Sequence, residues 1–549
     1  TPVLSLFIAL LCNIMPKLMM FDLLLKNVCI LDGSGRPGYT GDIGVKNGKI
    51  EAAAPRVAGG AARTIELRGE TAAPGFLDIH RHADAAVFKP GFGEAELHQG
   101  ITTIVNGNCG MSIAPLPSAR RAEILSFLAP VTGSLPEEIR FETFSEYTAL
   151  LKNRALPLNL AMLAGSGAMR AAAAGYSAKT LDGAAVKNIH ASLEDALAAG
   201  AAGVSAGLSY LPDLHYRAAA LAAALSPMSG TGLPLACHVR GEGDLLYDSV
   251  AEAIEAARLL RAPLRISHFK CIGRKNWGAG LEKVIALIER NRQAGMRIDC
   301  DVYPWTAGST QMLCALPPSF LAGGIGEILR RLGSPKERAE CRRILAKPGR
   351  DFENIILGVG WEGIAVTGLE SEKNQPLIGK SIPEIAALRG TDPFDAAFDL
   401  LAEEQGNVTM VDYITSAADI DRIVRLPYAS IISDAVYADK GLPHPRNAAN
   451  IAMVFHELVC RRKVLRPEEA VHKLSGLPAA AMGLTRKGLL KPGFDADIVI
   501  FRPEHISAPA DYGSPNRFTA GFDYVFIAGQ MALEGDTLTG CMPGAYAGL

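Results

Sequence analysis

Between residues 75 and 433 short apolar runs recur, separated by stretches whose apolar residues repeat with helical spacing. Eight runs read as strands: Gly75–His80, Ile101–Val105, Leu156–Leu163, Ala202–Ala206, Leu235–Val239, Leu264–His268, Arg297–Val302 and Ala429–Ser433. Thr180–Ala199, Leu245–Leu260 and Leu281–Arg292 read as helices between them. Parallel strands need crossovers and eight of them close a ring, so this α/β rhythm predicts a (β/α)8 TIM-type barrel over residues 73–484. The stretch between the seventh and eighth runs is far too long for one loop, which predicts an inserted subdomain at 304–426.

The two ends have another texture. Phe21–Val28, a turn through Asp32-Gly33-Ser34-Gly35, Asp42–Val45 and Lys49–Ala52 read as short strands, as do Asp497–Phe501 and Asp523–Ala528. Residues 21–72 and 485–549 are therefore expected to form a small β-sandwich from both ends of the chain. Thr1–Ile14 is uncharged and apolar but lacks a basic start and a small-x-small cleavage site. Residues 1–20 read as an extension outside the fold, which is expected to begin near Phe21.

The 549 residues carry 55 basic and 57 acidic side chains, a net charge of −2 without the basic excess that nucleic acid requires. With 49% hydrophobic and 20% charged residues, the chain can bury a large core. It contains no run of about 20 apolar residues, the length a spanning helix needs. Ten scattered cysteines form no disulfide framework and imply a reduced, cytoplasmic setting. The partner left is a small molecule, with homo-oligomerisation open.

Candidate chemistry sits at the ends of the predicted strands, where barrels of this kind place their functional residues. The first ends in His80-Arg81-His82, whose histidines share one side of a strand. The second runs into Asn108-Cys109, the fifth ends in Cys237-His238, the sixth in Ser267-His268 and the eighth in Ser433-Asp434. Each alone could be a satisfied core histidine, a small buried thiol or a helix-capping carboxylate. Together they present His, Cys and Asp from five strand ends, a set that suits zinc.

Longer strings then carry a resemblance. Pro74-Gly75-Phe76-Leu77-Asp78-Ile79-His80-Arg81-His82 resembles the entry motif of the amidohydrolase superfamily. Gln99–Thr103, Gly107–Gly110, His238–Asp244, Ile266–Gly273, Asp301–Thr310, Ser433-Asp434, His444-Pro445-Arg446 and Lys487–Asp497 narrow it to the D-aminoacylase (N-acyl-D-amino-acid deacylase) branch. The resemblance implies hydrolysis of the N-acyl amide of a D-amino acid. It implies a tightly held zinc on Cys109, His238 and His268, and a second, weaker position facing His80, His82 and Asp434. Asp434 would be the general acid/base, and Lys270, Tyr303, Ser309 and Arg446 would grip the substrate carboxylate.

Two departures stand out: Arg81 between the histidines, and Ala435–Asp439 in place of a shorter glycine turn. Both are expected to line the barrel mouth and bear on substrate choice. A cyclic-amide hydrolase (hydantoinase or dihydropyrimidinase type) or a dipeptidase is the alternative activity, against which Cys109 and Lys270 speak. A metal-free scaffold should have lost ligands, and all six are present. Gly358–Gly363 fits a dinucleotide string after a strand-like Ile355–Leu357, but no amphipathic helix follows. Histidines 98, 190, 215, 444, 456, 472 and 505 are expected at the surface.

Overall fold

The computed structural model describes residues 20–349, 352–507 and 510–548. The extension expected at 1–20 lies, except for Met20, outside the described residues.

All eight apolar runs contain strands: β1 (Phe76–Asp78), β2 (Ile101–Asn106), β3 (Asn159–Met162), β4 (Val204–Gly207), β5 (Leu235–His238), β6 (Leu264–Ile266), β7 (Ile298–Val302) and β8 (Ala429–Ile431). They pair in parallel, β1-β2-β3 in one sheet and β4-β5-β6-β7-β8 in another. At one seam Ala164–Gly165 continues the path of β3 and pairs with β4. At the other, Asp434 N donates to His80 O (3.0 Å) and His82 N to Ala435 O (3.0 Å). Every residue of β1 to β3 is buried, as strands covered on both faces must be.

Helices pack outside by their apolar stripes. Gly183–Ala198 buries Ala185, Ile189, Leu193 and Ala196, a spacing of three and four that faces the sheet. It starts later than the sequence pattern suggests because Asp182 caps it, accepting from Ala185 N (2.8 Å). Leu246–Leu260 and Ala279–Gln293 complete the next two crossovers.

Between β7 and β8 the chain builds a three-stranded antiparallel sheet from Ala307–Gln311, Ile364–Gly368 and Thr409–Tyr413, the last in the middle. Ile355–Leu357, strand-like in sequence, belongs to a helix over Ile355–Val359. The Asn354 side chain accepts from Leu357 N (3.0 Å) and so starts the turn that a β-branched pair would otherwise disfavour.

Strands from the two chain ends pair with each other. Ile498–Phe501 pairs antiparallel with Thr71–Pro74, joining both ends in one nine-stranded sheet over a core that includes Leu25, Ile43, Ile498 and Phe526. The nine cysteines of the described residues are all free, and no helix among those residues is long and apolar enough to cross a membrane.

Candidate active site

Strand geometry brings the ligand-type side chains to one place. Asp78, the last residue of β1, accepts from Ser433 N (3.1 Å) and Ser433 Oγ (2.5 Å), tying the end of β1 to the end of β8. His80 and His82 then face Asp434, each with Nε2 close to Asp434 Oδ1 (3.5 and 3.4 Å). Cys109, past β2, lies between three imidazoles: His80 Nε2 at 3.3 Å, His268 Nε2 at 3.4 Å and His238 Nδ1 at 3.8 Å. His238 Nδ1 and His268 Nε2 are themselves 2.7 Å apart. All six residues are buried.

The backbone makes this convergence possible by leaving the strand ladder early. Cys109, His268 and Asp434 all have left-handed backbones, with φ of 55°, 34° and 54°. Such conformations cost an L residue of order 1 kcal/mol or more and gather where function over-determines the structure. They also explain why β6 and β8 stop short of the sequence-based ends at His268 and Ser433. Gly207 lets β4 approach the Cys109 turn, since a Cβ there would lie 2.1 Å from Cys109 O.

Two carboxylates hold the histidines, and neither was singled out as a site residue from sequence. Asp301 on β7, fully buried, accepts from His268 N (2.5 Å) and lies 3.4 Å from His80 Nδ1. Glu242 Oε1 sits 3.0 Å from His268 Nδ1 and 2.6 Å from Lys270 Nζ. Asp301 in a strand that also carries Asp299, and the Arg240–Asp244 string after β5, were the available signals. Burial opposes charge on Cys109, yet the neighbouring His80 and His268, with hydrogen bonds from His238 and His268, hold its thiol well below the usual range. Burial likewise opposes the Asp434 carboxylate, but Arg446, the His82 hydrogen bond and His80 keep it well below the usual carboxylate range. Lys270 and the histidines overcome burial at Glu242 and pull it down to about 2.

This donor set fits a metal ion. A tetrahedral ion with bonds of about 2.0–2.3 Å sets its donor atoms roughly 3.3–3.6 Å apart. Of the Cys109 distances, 3.4 Å lies within that range and 3.8 Å just above it, and the two imidazoles at 2.7 Å need to separate. His80, His82 and Asp434 form a second such group.

The centre floors a cavity, partly open to solvent, with about 810 Å³ of empty space when that open part is included; its lining includes His238, His268, Asp434, Lys270, Tyr303 and Ser309. Arg446 lies behind it, fully buried, with Nη2 bonded to Asp434 Oδ2 (3.0 Å) and Ser309 O (3.2 Å). Lys270 already donates to Glu242 Oε1 and His268 O, and its Nζ lies 2.9 Å from His268 Nδ1. His444 corrects the surface expectation: it is fully buried, its Nδ1 accepts from Arg446 N (3.0 Å) and its Nε2 donates to Ala307 O (3.1 Å). It steadies the turn that carries Arg446, a role that only the packed structure reveals.

Neither departure at positions 81 and 437 lines this cavity, contrary to expectation. The two side chains bond to each other. Arg81 Nε donates to the Tyr437 hydroxyl (2.8 Å), the hydroxyl donates to Glu96 (2.6 Å), and Arg81 pairs with Glu96 (2.7 Å) and Asp78 (3.2 Å). Arg81→Ala should therefore destabilise the fold by about 3–5 kcal/mol, because buried Glu96 and Asp78 lose their cation. A denaturant midpoint within error of wild type would refute this.

The inserted segment also faces the cavity, through Asp412 among others. Its Oδ1 has no hydrogen-bond partner among the described residues, and burial pushes its pKa up to about 6. A raised carboxyl pKa favours folding below the unfolded value near 4, and that advantage is lost as pH rises through about 6. The stability of Asp412→Asn relative to wild type should thus rise by about 2–3 kcal/mol between pH 4 and pH 8. Urea titrations at the two pH values check this, and a constant difference would refute it.

The model of the amidohydrolase family matches residues 63–309 and 358–532. The chain belongs to that family. N-acyl-D-aspartate deacylase of Alcaligenes xylosoxydans xylosoxydans is 30% identical over 524 residues, 95% of this chain and 94% of that protein. A crystal structure of D-aminoacylase superposes with a TM-score of 0.80 at 29% identity, covering 96% of this chain and 99% of that one. N-acyl-D-glutamate deacylase from Bordetella bronchiseptica, solved with zinc and a phosphonate inhibitor, gives 0.81 at 26%, covering 97% and 100%. The resemblance read from the strand-end strings thus extends to whole-chain likeness in sequence and in fold.

Proposed function

We propose that this amidohydrolase is a zinc-dependent deacylase that hydrolyses N-acyl-D-amino acids to a free D-amino acid and a carboxylate. The observation that carries the reading is the buried constellation in which Asp434 Oδ1 faces two imidazoles beside a thiolate and a second imidazole pair. Cys109, His238 and His268 would hold the tight ion, and His80, His82 and Asp434 the weaker position. The chemistry supplied by zinc when bound is Lewis-acid polarisation of the scissile carbonyl and a lowered pKa of water.

Asp434 does the proton work. Its carboxylate takes the proton of the attacking water and returns it to the leaving nitrogen, while Arg446 on Oδ2 keeps it ionised and aimed. Lys270, Tyr303 and Ser309 line the side that receives the substrate carboxylate, with Arg446 behind them adding positive charge without reaching the cavity; Lys270 must yield one of its present bonds to do so. The relatives named for D-aspartate, D-glutamate and D-amino-acid substrates support this class. The parallel strands support a (β/α)8 barrel over 73–484, closed through the two seams, with an insertion at 304–426 and an end domain of 21–72 and 485–549.

A panel of N-acetyl-D- and L-amino acids assayed for released amine, with metal content measured on the same sample, tests the reading. D forms should be hydrolysed by zinc-loaded protein. Amidating the substrate carboxylate should lower kcat/KM by about 10²-fold or more, since a cationic pocket is left unpaired. Equal turnover of D and L forms, or of acid and amide, would favour a dipeptidase or cyclic-amide hydrolase.

A further inference from the structure

Beside the cavity over the metal centre lies a second pocket, partly open to solvent, with about 670 Å³ of empty space when that open part is included. Its walls include Phe127, Tyr176, Leu211, Leu313, Ile325 and Ile328, and neither Lys nor Arg lines it among the described residues. Ser209, Tyr210, Cys314 and Leu321 line both spaces, so the two meet at these four residues. We propose that this chamber receives the acyl chain of the substrate, making the enzyme one for N-acyl-D-amino acids with long apolar acyl groups. The proposal rests on the deacylase reading above.

Direction is what assigns the acyl chain to it. Lys270 and Arg446 both lie over the Tyr303 ring, 5.6 and 4.6 Å from its centroid, and mark the side for a substrate carboxylate. Tyr210 marks another side, its ring 4.6 Å from that of His238 and its hydroxyl 3.2 Å from Thr310 Oγ1. The strand Ala307–Gln311 orders these features: Ser309 O meets Arg446, Thr310 meets Tyr210, and Gln311 lines the second chamber. In an amide lying on the metal centre, the amino-acid and acyl parts leave the C–N bond in opposite directions. With the carboxylate drawn to the cations, the acyl part points past Tyr210. A pocket that holds Glu123 and no cation disfavours a second carboxylate, and its apolar walls gain from burying methylenes. It is formed by the segment 121–130 on one side and the inserted segment on the other, so its size is set outside the metal-binding strands.

The test uses the metal-loaded protein with N-acetyl-, N-hexanoyl- and N-octanoyl-D-leucine, and with N-acetyl-D-2-aminodecanoic acid as the long-side-chain counterpart. Each methylene withdrawn from water is worth about fourfold, so kcat/KM should rise on the order of 10²-fold from acetyl to octanoyl even with partial burial. Ile328→Trp fills the chamber and should abolish that rise while N-acetyl-D-leucine turnover persists. Ile325→Trp does the same from a position 37% exposed, where a larger ring is tolerated by the fold. Calorimetry of octanoate against acetate adds a readout that does not require hydrolysis. If no D substrate is hydrolysed but octanoate binds at least tenfold tighter than acetate, and Ile325→Trp removes the difference, the chamber stands and the deacylase reading falls. If N-acetyl-D-leucine is hydrolysed with no gain from chain length and octanoate binds no better than acetate, the chamber assignment falls alone. A gain confined to the long side chain overturns the acyl assignment.

Discussion

With asparagine at position 434, the protein should remain folded and keep the zinc of the Cys109 site, yet lose about 10²-fold to 10⁴-fold in kcat, the range for removing a general acid/base. The geometry separates these effects. Asp434 is not among the Cys109, His238 and His268 donors, and the Asn carbonyl still accepts from Arg446, which otherwise donates to Asp434 Oδ2 and Ser309 O. What the amide cannot do is take up a proton between the two imidazoles of His80 and His82. KM should change far less, because the carboxylate grip lies on other residues. Steady-state kinetics with metal analysis on one sample decides the matter. Near-normal kcat would remove Asp434 from proton transfer, whereas lost zinc would make it a primary ligand.

Cys109→Ala carries the other large effect. Its sulfur is the atom that all three nearby imidazoles share, at 3.3, 3.4 and 3.8 Å. Without it, His238 Nδ1 and His268 Nε2 lose the anionic donor that lies 3.8 and 3.4 Å from them. Metal content after desalting should fall from stoichiometric to background, and activity with it. Stoichiometric zinc in the variant would sink the assignment. Because Cys109 occupies a left-handed turn packed under Gly207, alanine keeps the backbone no worse placed than cysteine did, and a thermal melt can confirm that the fold is retained.

Which parts of this site were legible beforehand follows from what local sequence records. The strand-end residues His80, His82, Cys109, His238, His268 and Asp434 stand immediately after apolar runs, so period and residue type locate them together. Asp301 and Glu242 were harder: one lies inside a strand and the other in a loop, and their function depends on histidines carried by other strands. Arg81 and Tyr437 read as two separate departures from a pattern, because nothing local shows that a buried arginine and a tyrosine hydroxyl meet across β1 and β8. His444 read as surface text for the same reason, since its burial is created by Arg446, Ala307 and Tyr512 closing around it.

Local sequence shows the parallel-strand rhythm, the return of the last strands to the first, and the residue types gathered at the strand ends. Strands buried on both faces must be apolar along their whole length, and a metal centre admits few side-chain types, so both constraints are written residue by residue. The tertiary structure alone decided the left-handed turns that aim Cys109, His268 and Asp434, the carboxylates that hold the histidines, and the second chamber with its wall from the inserted segment. These depend on contacts between residues on different elements of the chain, and the energy of such a contact belongs to the pair, which no single stretch of chain contains.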